Sequence, residues 1–192
     1  MAALEKEQIM AEEDRSYTVE DIYALPEGQR AELIDGKWYD MASPSRIHQA
    51  LVMAISYRLR EHILDKGGDC QVYPAPFAVF LNKDNKTYLE PDVSVICDPE
   101  KLDDRGCNGA PDLVVEITSP SSTSRDNMVK LLKYCTAGVK EYWVVNPAQR
   151  VVSLYSFQEK DLEKGGMEMY SFDQELHSVL FPEFSLRLSE EL

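Results

Sequence analysis

From Asp112 to Thr118 the chain reads Asp-Leu-Val-Val-Glu-Ile-Thr, an apolar, β-branched run with Glu116 near its centre. Such a run hides inside a sheet. A charge there is costly unless it is paired, hydrogen-bonded or bound to a metal. The segment therefore constrains the fold twice. It calls for a buried strand, and it calls for something that accommodates a carboxylate. A second run of the same character lies upstream, Leu89 to Asp98, and both contain Pro-Asp, at Pro91-Asp92 and Pro111-Asp112.

Side chains alternate along a strand. Asp112, Val114, Glu116 and Thr118 share one face, and Leu113, Val115 and Ile117 share the other. Glu116 thus points away from the more continuously apolar face. If the two runs are neighbouring strands, Asp92 and Glu116 converge. Two close carboxylates repel, so one has a raised pKa unless a cation joins them. Oxygen ligands favour Mg²⁺ or Mn²⁺. Two plainer readings stand beside this one: Glu116 faces solvent or a salt bridge, and Asp92 and Asp112 are turn residues after proline.

The rest of the chain supplies a frame. Residues 1–15 read as a flexible acidic tail, and 16–192 as one domain. Thr18 is a candidate N-cap of a short helix. Asp35-Gly36 marks a hairpin. Ile47, Leu51, Ile55, Leu59 and Ile63 give a long helix, with Ser45 to cap it and Gly67-Gly68 to stop it. A second helix ends at Gly138, with an expected buried face of Met128, Leu131, Leu132 and Cys135. Another strand follows at residues 140–146. Residues 150–172 read as a hairpin whose loop runs through Gly165-Gly166, and the C-terminal segment is expected to cover the sheet. Hairpin, helix, several strands, helix, strand is the order of an α/β domain with a mixed sheet.

Composition narrows the function. No apolar run approaches the ~20 residues of a membrane helix, and the acidic N-terminus is no secretory signal. The four cysteines contain no CxxC pair and read as reduced thiols in a cytoplasmic protein. The formal net charge is −14. Bulk electrostatics therefore disfavour a nucleic-acid partner. Such a partner requires basic side chains such as Arg46, Arg58, Arg60 and Lys66 to gather near a cleft, or a dimer to build one.

Pro91-Asp92 on one strand and Glu116-Ile117-Thr118 on the next resemble the PD-(D/E)xK nuclease superfamily. Residues 31–49, 89–95, 110–122, 125–134 and 138–147, in that order, look like the Uma-two family of restriction-endonuclease-like proteins. The resemblance implies a restriction endonuclease-like fold, with a mixed central sheet flanked by helices, an N-terminal hairpin and a C-terminal hairpin. It implies a Mg²⁺- or Mn²⁺-dependent endonuclease acting on DNA, expected as a homodimer. Asp92 and Glu116 would bind the metal. The superfamily lysine is replaced by Thr118, and Lys130 on the following helix, between Asp126 and Tyr134, matches the family's lysine. Without the resemblance, Lys130 reads as half of an exposed i, i+4 pair with Asp126. Glu32 looks like the family's N-terminal acid. His48 and Gln49 at the long helix's start, and Ser119 at the turn, are secondary candidates. The alternative is an inactive nuclease fold serving as a dimeric scaffold or regulatory partner, with Trp38, Tyr142 and Trp143 as interface candidates.

Overall fold

The computed structural model describes residues 15–82, 84–119, 124–158 and 160–192, and the side chains of 124–126 lie outside it. The expected acidic tail, Arg15 apart, is likewise outside the described residues.

A six-stranded mixed sheet forms the centre. Its strands are β3 (Gln71–Pro74), β5 (Val93–Ile96), β8 (Leu113–Ile117), β9 (Glu141–Asn146), β10 (Val151–Gln158) and β11 (Asp161–Ser171). They lie in the order β11-β10-β9-β8-β5-β3. Only β8 and β9 run parallel, joined by the helix α3 (Ser124–Ala137) as a crossover. The other neighbours are antiparallel.

Helices cover both faces. On one face α2 (Arg46–Asp65) packs Leu51, Ile55 and Leu59 against Val93, Val95, Leu113, Val115 and Ile117. On the other, α3 packs Leu131, Tyr134 and Cys135 against Ile96, Val114 and Tyr142. Two-sided cover explains why β8 reads as a continuous apolar run. The alternation along β8 turns Glu116 towards the α3 side. The C-terminal segment adds Phe172, Leu176, Phe184 and Leu186 to the α2-side core, as expected, partly through the short pair β12 (Leu176–His177) and β13 (Ser185–Leu186).

The N-terminal part is a smaller layer. Thr18 caps α1 (Val19–Tyr23) in a reciprocal capping box with Asp21. The hairpin of β1 (Ala31–Ile34) and β2 (Lys37–Asp40) turns at Asp35-Gly36. Both turn residues have positive φ, 53° and 76°, as a two-residue type I′ turn requires. Leu33 and Tyr88 exchange two backbone hydrogen bonds of 2.7 and 2.9 Å, which moor β1 to the segment leading into β5. Short strands β4 (Val79–Phe80), β6 (Leu102–Asp103) and β7 (Gly106–Asn108) form a separate three-stranded sheet.

Four sequence expectations fail. The buried side of α3 is not Met128/Leu131/Leu132/Cys135: Met128 and Leu132 are 55% and 45% exposed, whereas Tyr134 is fully buried. The helix rolls so that Lys130 and Tyr134 face Glu116, and hydropathy alone carries no sign of that polar demand. Gly165-Gly166 lies inside β11 rather than in the loop, because the hairpin turns earlier. A Cβ on Gly165 would come within 2.1 Å of the Ser156 carbonyl oxygen, so the close backbone approach excludes a side chain. Tyr142 and Trp143 are core residues on opposite faces of β9 and cannot serve as interface aromatics.

The fourth concerns the cysteines. Cys70 and Cys97 form a disulfide, while Cys107 and Cys135 are buried thiols. The antiparallel pairing of Gln71 with Ile96 sets the flanking Cys70 and Cys97 opposite one another. A separation of 27 residues with no CxxC spacing hides that register in the sequence. Beside the bridge, Asp112 accepts a 2.8 Å hydrogen bond from the Cys97 N–H and pairs with Lys140 at 2.7 Å. It is a buried tie between strands rather than a free turn residue. Burial pushes the Asp112 carboxyl up, but Lys140 and the Cys97 amide outweigh it, so its pKa lies below the usual range.

Closing a loop of this length stabilises a fold by roughly 2–4 kcal/mol. Denatured, non-reduced protein is therefore expected to titrate two thiols rather than four, and Cys97→Ser is expected to lower the unfolding free energy obtained from urea titration by that amount. Four titratable thiols would refute the bridge.

Candidate active site

The site forms where the hairpin, the starts of α2 and β5, the end of β8 and the middle of α3 meet. Each acid has a local reason to be there. Val93 pairs with Val115, so one further step along the antiparallel register sets Asp92 opposite Glu116. Asp92 Oδ2 accepts a 2.7 Å hydrogen bond from the Ile117 N–H. Its Oδ1 lies 3.2 Å from His48 Nε2. His48 stands in the first turn of α2, where Ser45 caps the helix by accepting from the His48 N–H at 3.3 Å. The cap thus fixes the point at which the imidazole meets Asp92.

Lys130 is the centre. Its ammonium lies 2.9 Å from Glu116 Oε1 and 2.8 Å from Glu32 Oε2. The Tyr134 hydroxyl, one helical turn later, donates to the same Glu116 oxygen at 2.6 Å. Glu32 is held from its other side, where Oε1 accepts from the Glu90 N–H at 3.0 Å. The Lys130, Glu32 and Glu116 side chains are 17%, 7% and 15% exposed, so this is an inner network, not a surface salt bridge.

The electrostatics follow from burial. Loss of water pushes the Glu116 pKa up to about 7; Lys130 opposes the rise, while Glu32 and Asp92 add to it. Burial also acts against the Lys130 ammonium, but Glu116 and Glu32 together outweigh it and raise its pKa. Lys130 is therefore a cation throughout the neutral range. His48 is raised chiefly by its hydrogen bond to Asp92, with burial opposing. Burial, then Glu116, raises Tyr134 well above the ordinary phenol value, so it remains a donor.

Of the residues singled out in the sequence, Glu32, His48, Asp92, Glu116, Lys130 and Tyr134 come together. Gln49 is exposed in the first turn of α2. Thr118 is half-buried, and its N–H continues the β8–β9 ladder to Val145 O at 2.8 Å. Ser119 is exposed at the strand's end. Asp126 belongs to α3, and its side chain lies outside the described residues. Lys130 pairs across the fold with Glu116 and Glu32, so the reading of a solvent-exposed helical pair is wrong.

Sequence reasoning missed Glu90. This acid is 8% exposed, accepts from the Tyr88 hydroxyl at 2.7 Å and pairs with Arg30. Its place two residues before Asp92 was the available signal. Arg58, Arg60 and Lys66 do not meet the condition of gathering near the site. They stand ten or more residues along α2 from His48, at least ~15 Å away at 1.5 Å per residue. Arg58 pairs with Glu61 and Glu191, and Lys66 with Glu183.

A two-sided α/β sheet with an acid pair at the ends of adjacent central strands, and a lysine reaching it from the next helix, defines a restriction endonuclease-like protein. Residues 19–189 match the Uma2 family, described as "Putative restriction endonuclease", and the chain belongs to that family. It is 30% identical over 129 residues to "Uncharacterized protein slr1290" of Synechocystis sp. (strain ATCC 27184 / PCC 6803 / Kazusa), a match spanning 66% of each protein. Its fold is similar to the crystal structure of "a putative nuclease belonging to DUF820" from Anabaena variabilis ATCC 29413. That likeness has a TM-score of 0.71 at 18% identity and covers 91% of this chain and 96% of the other.

The raised Glu116 pKa has a measurable consequence. In the metal-free protein, folded Glu116 holds its proton until about pH 7, whereas the unfolded chain releases it near the ordinary 4.5. The folded state thus binds more protons between these values, and stability falls as pH rises through that window. Glu116→Gln removes the penalty. It is expected to stabilise metal-free protein at pH 8 by up to about 3 kcal/mol relative to its effect at pH 4.5. Urea unfolding at both pH values reads the difference, and an equal effect at both would contradict the assignment.

Proposed function

We propose that this protein is a metal-dependent nuclease that hydrolyses phosphodiester bonds, with DNA as substrate. The observation that carries the reading is the Lys130 ammonium held between Glu32 and Glu116, beside Asp92. Family membership supports it, as does the likeness to the Anabaena protein, described as "a putative nuclease".

The donor set suits a hard divalent cation. Among the described residues no three of His, Cys, Asp or Glu are grouped to hold an ion. Mg²⁺, however, is commonly held by one or two carboxylates, with water or substrate oxygens completing its shell. Both described hydrogen bonds to Glu116 converge on Oε1, which leaves Oε2 as the oxygen to offer a metal. Asp92 supplies the second carboxylate. When bound, such an ion stabilises developing charge on a phosphoryl group and lowers the pKa of bound water.

The protein's own groups divide the remaining work. Lys130, charged through neutral pH, acts as a donor: it orients the attacking water and offsets phosphate charge, and it is not the general base. Tyr134 and Lys130 fix the rotamer of Glu116 through Oε1. His48 holds Asp92 through Oδ1, and the Ile117 N–H holds it through Oδ2. Glu32 keeps Lys130 extended across the pocket. The acidic surface is offset locally, because α2 directs its N-terminus, with no acidic residue in its first turn, to the side of the pocket where His48 meets Asp92.

Cleavage of duplex DNA is expected with Mg²⁺ or Mn²⁺, to be lost in EDTA and restored by adding the metal back. Glu116→Ala and Asp92→Ala should each abolish it. Lys130→Met should lower the rate by about 10²–10³-fold, a loss typical for a missing electrostatic donor. Absence of metal-dependent cleavage across duplex DNA, single-stranded DNA and RNA, or activity that survives Glu116→Ala, would refute the reading.

A further inference from the structure

The solvent face of α2 does not match the rest of the surface. Leu51, Val52, Ile55, Leu59 and Ile63 turn one stripe of the helix to the sheet. At ~100° per residue, the opposite stripe should be polar. It carries Met53, Tyr57 and Leu64 instead, which are 70%, 57% and 59% exposed. With exposed Arg60 among them, the spacing along the row from Met53 is four, three and four residues. That alternation is the seam of a helix that packs on another helix. Single exposed apolar residues need no explanation, but a row of them along one helix marks a contact surface.

Charge points to the same face. A chain of net charge −14 repels its own copies over most of its surface. From Arg46 to Arg60, however, α2 contains no Asp or Glu. Arg58, at the flank of the row, is bound to Glu61 and Glu191. Among the described residues Arg60 makes no side-chain hydrogen bond or ion pair. The Tyr57 hydroxyl donates to Glu61 at 2.7 Å. An aromatic ring tipped by a carboxylate thus lies one helical turn from an unengaged guanidinium.

We propose that the outer face of α2 joins two copies of this chain as an antiparallel helix pair. A two-fold axis crossing α2 between Arg58 and Leu59 makes the row complementary to itself. It sets Tyr57 opposite the partner's Arg60 and Met53 opposite the partner's Leu64, and each pairing occurs twice. The outer layers are then apolar, and the inner layers place a guanidinium on an aromatic ring, a cation–π contact. A parallel pair would stack Arg60 on the partner's Arg60 instead. Antiparallel alignment also opposes the two helix dipoles. A second copy suits this face better than a polyanion, since three of the four side chains in the row carry no charge. The inference goes beyond the nuclease reading and does not depend on it.

The test uses the full chain without nucleic acid. Sedimentation velocity is expected to show a concentration-dependent dimer with Kd on the order of 10 µM, the regime of a small interface. Met53→Glu with Tyr57→Glu should weaken pairing at least about 100-fold, through lost contact and like-charge repulsion. Arg60→Glu, which disturbs no described side-chain partner, should weaken it about 10-fold and gives the same reading if the double variant fails to fold. Orientation is read by disulfide trapping. A mixture of Met53→Cys and Leu64→Cys chains should cross-link on oxidation. Neither alone should, because like positions lie about 16 Å apart along an antiparallel pair. The native cysteines do not compete, being bridged or buried. A chain that stays monomeric to about 100 µM, a dimer indifferent to these substitutions, or cross-linking of Met53→Cys with itself overturns the proposal. Each of those results leaves the nuclease reading standing.

Discussion

One ammonium group holds three parts of this protein together. Lys130 comes from α3, Glu32 from the N-terminal hairpin and Glu116 from the central strand β8. None of the three is stable alone in its position. Two buried carboxylates with no cation would repel and lose hydration, and a buried ammonium with no carboxylate would give up its proton. Once Glu116 has released its proton, above about pH 7, the three together carry a single net negative charge. That residual charge lies where Asp92 adds another, so the pocket remains electron-rich and suited to a cation. The hydrophobic layers supply the folding energy, but this network sets the roll of α3 and the seat of the hairpin.

The same logic recurs at lower stakes elsewhere. Asp112, just before the central strand β8, meets Lys140 and the Cys97 amide next to the Cys70–Cys97 bridge. Glu141 is fully buried and accepts from Trp143 Nε1 at 2.6 Å and from the Ser178 hydroxyl at 3.1 Å, joining β9 to the C-terminal segment. Glu90 takes Arg30 and Tyr88. Each acid is buried, and each is placed at a junction between elements where apolar packing alone would not specify orientation. A chain with a formal net charge of −14 thus uses several of its acids as internal ties, so net charge describes its surface field less well than it does for a protein whose acids are all solvated.

Comparison of particular residues shows where sequence reasoning succeeds. The Asp35-Gly36 turn, the Ser45 cap and the apolar spacing of α2 are local: propensity, capping and periodicity act within a few residues, and the structure repeats them. The parity of β8 also holds, since a strand has only two faces and Leu113, Val115 and Ile117 occupy the apolar one. The errors arise where partners are distant. The face of α3 was misread because Met128 and Leu132 are more hydrophobic than Lys130 and Tyr134, yet the latter pair finds polar partners inside. The disulfide was missed because its two cysteines meet only through the register of β3 with β5. Glu90 has a local signal in its place two residues before Asp92, but its pairing is hidden, because its partner Arg30 lies 60 residues away.

By itself, the sequence determined the alternation of helices and strands, the two Pro-Asp runs and the presence of a carboxylate in a strand that had to be covered. Those properties depend on short-range periodicity and on the cost of an unpaired charge. Only the tertiary structure decided what met that carboxylate. Strand register set Asp92 opposite it, the crossover helix delivered Lys130, and the hairpin supplied Glu32. These contacts join residues 14 to 98 positions apart, and their pairing energy exists only once the sheet has assembled and excluded water from between them.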